Sequence, residues 1–165
     1  MRHNLIFLLV IPLTSFAENV EPFFIGSQAR LYTETGDDYK ENIFGWRYYV
    51  GYNISSYISF ESGFFSISSI KSEPKQEIDG LDFASTVHIP INKYWDVFTK
   101  VTLSLSDVDN YHGVQFTPKL SLGTGVNISK HFKIDIEYEY SSDIKVNKIN
   151  KIEPYSLALG VKYMF

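Results

Sequence analysis

Cysteine is absent from this 165-residue chain, so no disulfide staples the fold; burial and backbone pairing must hold it. Long hydrophobic runs are missing too. No window holds the ~18 uninterrupted apolar residues of a spanning helix, which excludes a helical membrane protein. Basic excess is lacking: fifteen Lys and Arg face nineteen Asp and Glu, for a formal charge of −4, and nothing suggests a nucleic-acid partner. Histidine is scarce, with four residues. Aromatics, by contrast, are abundant. Thirteen Phe, twelve Tyr and two Trp stand in a chain of slightly polar mean hydropathy, which suits strands with two unlike faces.

The first residues are set aside before any fold is read. Arg2 and His3 form a short polar start, Leu5 to Leu13 is an apolar run broken by Pro12, and Ser15-Phe16-Ala17 offers small residues for cleavage. Residues 1–17 therefore read as a secretory signal peptide, with Glu18 opening a mature domain over 18–165. Fourteen basic residues then face nineteen acidic ones, a formal charge of −5.

The end of the chain sets the pattern. From Tyr155 through Leu157, Leu159, Val161 and Tyr163 to Phe165, every second residue is apolar or aromatic, while Ser156, Ala158, Gly160 and Lys162 lie between them. This is a strand of period two. Seven more precede it. Phe23, Ile25, Ala29 and Leu31 oppose Gln28 and Arg30; Phe44 to Ile54 alternate against Arg47 and Tyr49; Phe60 and Phe64 oppose Glu61. Leu81, Phe83, Val87 and Ile89 oppose Asp82, Thr86 and His88, and Val97, Val101, Leu103 and Leu105 oppose Lys100 and Thr102. Phe116, Leu120, Leu122 and Val126 oppose Lys119, and Phe132, Ile134, Ile136, Tyr138 and Tyr140 oppose Lys133, Asp135, Glu137 and Glu139.

Connections alternate in length. Polar segments at 33–42, 68–79, 106–113 and 141–153 are long, whereas 53–56, 90–93 and 129–130 are short. Such asymmetry, with strands of about 9 to 11 residues, is that of a transmembrane β-barrel. The second face decides the matter. Arg30, Arg47, Glu61, Asp82, Lys100, Lys119, Asp135, Glu137, Glu139 and Lys162 all fall on it, so the apolar face is the one that lipid must cover. A water-soluble barrel would be inverted. In hydrocarbon an open sheet edge leaves backbone groups unpaired, so the sheet must close, and eight strands can do so. The expected fold is all-β, an eight-stranded antiparallel up-and-down barrel with both termini on the side of the short turns. Phe23, Trp95, Phe132, Tyr163 and Phe165 then line one membrane interface, and Trp46, Phe116, Tyr140 and Tyr155 the other.

The stretches F-F-I-G-S-Q-A-R-L-Y-T-E-T-G-D-D, S-F-E-S-G-F-F, G-L-D-F-A-S-T-V-H-I-P-I-N-K-Y-W-D-V-F-T-K-V, I-E-Y-E-Y-S-S-D-I and Y-S-L-A-L-G-V-K-Y-M-F together resemble the membrane domain of the OmpA-like outer-membrane β-barrel family. The resemblance implies a bacterial outer-membrane location. It also implies that Tyr163 and Phe165 form the terminal signal read by the barrel assembly machinery. The sequence stops at the barrel, so no peptidoglycan-binding domain or cell-wall tether is carried over. Glu61 matches a lumen acid of the family, but Thr86 and Asp135 stand where basic lumen positions are expected, so the family's gating ion pair does not transfer.

An eight-stranded interior is just wide enough for side chains to fill. The ten inward charges, five of each sign, are expected to pair as a plug: Arg47 with Glu61, Lys119 with Glu137 or Glu139, and Lys162 with Asp135. Structural filling is preferred to an ion path. A Ser/His/acid or metal site would need His112 with Ser106, Asp107 or Asp109, and a solvated loop explains those residues as well; no catalytic residue, metal or cofactor is expected. The long segments carry Asp37, Asp38, Lys40, Glu41, Lys71, Glu73, Lys75, Glu77, Lys145, Lys148 and Lys151; K-V-N-K-I-N-K could meet lipopolysaccharide phosphates. Asn53 and Asn127, each in an N-x-S triplet, read as turn formers. The functional expectation is a monomeric, non-enzymatic barrel among outer-membrane lipids and lipopolysaccharide that supports membrane integrity and displays its loops. A narrow pore, an adhesin or receptor, and a lipid A-modifying enzyme are the alternatives.

Overall fold

In the computed structural model of the chain, residues 21–35, 40–68, 77–108, 114–142, 144–145 and 151–165 are described. The signal peptide at 1–17 lies outside them, as do Asp37, Asp38, Lys71, Glu73, Lys75, Asp109, His112, Lys148 and the side chains of Lys40, Glu41, Lys145 and Lys151.

Eight antiparallel strands form the wall: β1 (Phe23–Thr35), β2 (Lys40–Asn53), β3 (Ile58–Ser68), β4 (Glu77–Pro90), β5 (Trp95–Val108), β6 (Gln115–Asn127), β7 (Phe132–Ser141) and, after the two-residue β8 (Ile144–Lys145), β9 (Lys151–Met164). Each pairs with its sequence neighbour, β7 with β9, and β1 returns to β9 through Phe24↔Met164 to Thr35↔Lys151, so the sheet is closed. β8 pairs with the start of β9. Closure leaves the wall without an edge, which is why every strand can keep one face apolar.

The alternation read from the sequence holds on every strand. Leu81, Phe83, Val101, Leu122, Ile136, Tyr138 and Leu159 point outward and are exposed, while Arg30, Arg47, Asp82, Lys100 and Glu137 between them are buried. Two inward glycines let aromatic rings lie flat against the wall: a Cβ at Gly51 would sit 2.1 Å from the Phe24 ring, and one at Gly123 would sit 2.3 Å from the Phe98 ring.

The three short turns are variants of one device. Ile54, Ile91 and Ile128, equally spaced along the chain, each donate their N–H to the carbonyl four residues on, at 2.9 Å in all three. The residues after them, Ser55, Asn92 and Ser129, turn side-chain oxygens back to the N–H groups of the following strand entry. Asn53 and Asn127 are instead the last residues of β2 and β6, and their side-chain amides reach neighbouring segments, donating to the carbonyls of Glu21 and Lys93.

At the opposite end the strands run further than the polarity of the sequence suggests. β4 begins at Glu77 and β5 continues to Val108, so 68, 77–79 and 106–108 are ladder, not loop. The reason is a reversal of faces. Beyond Phe44 and Leu81, the outward residues Thr33, Asn42, Ser68, Glu77, Asp79 and Asp107 are polar, and the inward ones, Tyr32, Ile43, Phe65, Ile67 and Ile78, form a buried apolar cluster. This collar has the inside-out pattern of a soluble barrel. A search for apolar-outward alternation therefore reads it as loop.

Candidate functional site: the charged lumen

All ten inward charges anticipated from the sequence are buried in the lumen, and two more join them, Asp96 from β5 and Lys133 from β7. Six basic and six acidic groups thus share the interior. They fall into two clusters.

The central cluster turns on Glu61 of β3. Its carboxylate meets Arg47 Nη1 at 3.0 Å, Lys100 Nζ at 3.3 Å and Lys162 Nζ at 3.3 Å. Arg47 also grips Asp82, donating from Nε at 2.8 Å and from Nη2 at 2.7 Å. Such a two-pronged pair is the strong form of ionic hydrogen bond. Lys100 reaches Glu137 at 2.8 Å, Arg30 reaches Glu139 at 2.7 Å, and Lys119 lies 3.4 Å from Glu139. Gln28, which the sequence placed inward without a role, links the halves: its amide donates to Glu137 at 3.0 Å and Asp135 at 3.2 Å, and its carbonyl accepts from Arg30 at 3.0 Å.

Two of the expected pairings form, Arg47 with Glu61 and Lys119 with Glu139. The third does not. Lys162 sits opposite Lys133 in the β7–β9 ladder, whereas Asp135 sits opposite Gly160. Lys162 instead crosses the lumen to Glu61, its ammonium passing 4.1 Å from the centre of the Phe24 ring.

The second cluster lies at the end of the short turns. Ser59 Oγ is 3.1 Å from His88 Nε2, His88 Nδ1 is 2.7 Å from Asp96 Oδ2, and the same oxygen accepts from Lys133 Nζ at 2.6 Å. The sequence signal for Asp96 was its place two steps of alternation before Lys100, but the intervening inward Phe98 hid it. The serine, histidine and acid form a chain that a hydrolase could use, yet Ser59 is wholly buried. The nearest cavity, of about 10 Å³, has room for roughly one water and none for a substrate. Asp96 is also shared with an ammonium. The described residues contain no group of three or more metal-ligating side chains.

Above the central cluster Tyr32, Ile43, Phe65, Ile67 and Ile78, contributed by β1 to β4, form the buried apolar cluster. From the short turns upward the interior thus holds a polar cluster, a charge network and, on the β1–β4 side, an apolar cluster.

Outside, the aromatic residues expected for the belts lie on the outer face and pack against one another. Trp46 packs against Tyr48 and Phe64, and Tyr155 against Tyr138 and Tyr140, near the long connections; Phe116 is exposed at the same end. At the other end Phe23 packs against Tyr52, Phe132 and Phe165 against Tyr163, and Trp95 donates its indole N–H to Thr124. His131 stacks on Tyr163 and its Nδ1 lies 3.0 Å from the carbonyl of Met164.

The model of the outer membrane protein β-barrel domain matches residues 5–165. The chain belongs to this family of outer-membrane β-barrels. Its place is therefore the outer membrane of a Gram-negative cell, with the apolar face in lipid. No curated protein matches the sequence. Among solved structures, Neisserial surface protein A is 15% identical over 87% of this chain and 97% of its own, with a TM-score of 0.63. OprH from Pseudomonas aeruginosa is 17% identical over 87% and 99%, TM-score 0.60. Ail, the attachment invasion locus protein of Yersinia pestis, is 16% identical over 88% and 99%, TM-score 0.58. At these identities the likeness concerns the fold alone.

Proposed function

We infer that the protein is a non-enzymatic, closed barrel that supports outer-membrane integrity and holds its long connections at the cell surface. One observation supports this reading: eleven of the twelve charges in the lumen stand in ion pairs, with an apolar cluster toward the long connections. The outward aromatics at both ends suit anchoring in the two interfaces of the bilayer. Lipid and lipopolysaccharide are the partners proposed for the outer face, and the barrel assembly machinery for Tyr163 and Phe165. A narrow pore is the second reading, favoured by the three cations around Glu61, which could exchange partners.

The test is genetic. A strain lacking the gene should become sensitive to detergent and to bulky hydrophobic antibiotics, and a barrel whose long connections are cut to tight turns should restore resistance. Unchanged sensitivity on deletion would overturn the integrity role. Complementation that fails with the shortened but folded barrel would move the function to the connections, toward the surface-attachment role that the name of Ail gives to that protein.

A further inference from the structure

We propose that Lys133 and His88 form a proton-operated latch over the periplasmic mouth of the lumen. The bar of the latch is Lys133. Its side chain leaves β7, crosses β6 where Gly125 leaves room, and ends on Asp96 of β5; a Cβ at Gly125 would lie 2.1 Å from the lysine Cε, so the crossing depends on that glycine. His88 of β4 holds the same carboxylate oxygen from the other side, with Ser59 of β3 behind it. Three strands meet at one oxygen atom, and β3 joins them through His88.

Asp96 accepts from both neighbours, which requires Nδ1 of His88 to carry hydrogen. In the closed latch the imidazole is neutral, with Nε2 accepting from the Ser59 hydroxyl, and Asp96 with Lys133 makes a balanced pair. Histidine is the side chain whose charge changes between about pH 5 and 8. A second proton on His88 adds a positive charge beside Lys133, on a carboxylate that neutralises one cation.

The surroundings direct the outcome. Across the cavity of about 10 Å³, Lys100 of β5 and Lys162 of β9 present two more ammonium groups, and the carboxylate of Glu61 is already committed to both. Asp135 of β7 faces the same cavity with one oxygen held by Gln28, and Tyr49 of β2 completes the titratable wall. The other Asp135 oxygen has no hydrogen-bond partner, but it stands one step of alternation deeper on β7 than Lys133, on the cavity that Lys100 and Lys162 already face. Lys133 is the group able to leave, because it sits at the barrel end, slightly exposed, on a flexible four-carbon stem. Protonated His88 keeps Asp96, and Lys133 swings into periplasmic water. The cavity then opens downward, and acid hydrates the lower lumen.

A chain without cysteine makes the test direct. Thr86, wholly buried and lining the cavity, is replaced by Cys, and its modification by a small methanethiosulfonate reagent is measured in the folded barrel at pH 7.5 and pH 5. Rates are divided by those of Ser129→Cys, exposed in a short turn, to remove the intrinsic pH dependence of the thiol. The expected result is a relative rate at least ten-fold higher at pH 5. Adding His88→Gln should abolish the rise, and adding Lys133→Met should leave the site open at both pH values. Equal relative rates at the two pH values, or the same rise with His88→Gln, overturn the proposal. Should Thr86→Cys not fold, ring-nitrogen NMR of the wild-type barrel decides: His88 must titrate with a matching shift at Lys133 Nζ, and a His88 that titrates without Lys133 sensing it refutes the latch.

Discussion

Replacing Glu61 by Gln removes the charge that three cations share, and the structure says which of them suffers. Arg47 keeps Asp82 at 2.7 Å and Lys100 keeps Glu137 at 2.8 Å. Lys162 has Glu61 as its carboxylate partner and is left with the Phe24 and Tyr49 rings, 4.1 and 5.8 Å from its ammonium. Breaking one side of a buried ion pair costs roughly 3 to 5 kcal/mol, because the surviving charge stays desolvated. The amide still offers one oxygen, so Glu61→Gln should lie near the lower end, at about 3 kcal/mol, and Glu61→Ala nearer the upper. Removing the stranded cation as well should recover part of the loss. In a double-mutant cycle, Glu61→Gln with Lys162→Met should show a coupling of about 2 kcal/mol. Urea unfolding in lipid vesicles, read by the fluorescence of Trp46 and Trp95 and by heat-modifiable gel mobility, measures both. A single substitution that lost less than about 1 kcal/mol, or a double variant no more stable than Glu61→Gln, would show that the charges are hydrated and individually dispensable, and the reasoning would fail.

Other substitutions probe the wall and its export. Val101, outward and 60% exposed near the middle of β5, faces hydrocarbon; Val101→Lys should destabilise the barrel by about 2 to 4 kcal/mol, while Asp79→Lys on the polar collar should change stability by less than about 1 kcal/mol in the same urea assay. Gly51→Ala should lose about 1 to 3 kcal/mol through overpacking, because its Cβ would meet the Phe60 carbonyl at 2.6 Å as well as the Phe24 ring. Deleting Phe165 should lower the amount of folded barrel in the outer membrane of living cells yet leave refolding of the purified chain into vesicles nearly unchanged; equal losses in both would mean that the residue stabilises the fold and is not a signal.

Strand number, face and barrel closure were legible because lipid outside and charge inside impose opposite demands on successive residues over the whole membrane thickness. Where that demand ends, the reading ended too. Ile67 and Ile78 point inward above the membrane, and the rule that placed Phe64 and Leu81 in lipid could not find them. Lys133 was assigned to the inward face, but its partner Asp96 stood beyond an inward phenylalanine and so was missed. The Lys162 pairing failed because it depends on ladder register: one slip of two residues decides whether Asp135 or Lys133 lies opposite. The turns were recognisable as short, whereas their common hydrogen-bond pattern emerged once Ile54, Ile91 and Ile128 could be compared in space.

The claim that the lumen is structural is tested most directly by conductance. The folded wild-type barrel, its state verified by heat-modifiable mobility, is inserted into planar bilayers and recorded beside the Glu61→Gln variant. The account predicts a silent membrane in both cases, since the remaining ion pairs and the apolar cluster still occupy the lumen. Steady, discrete channels in the wild type, altered in size or lifetime by Glu61→Gln, would contradict it and make the lumen a pathway.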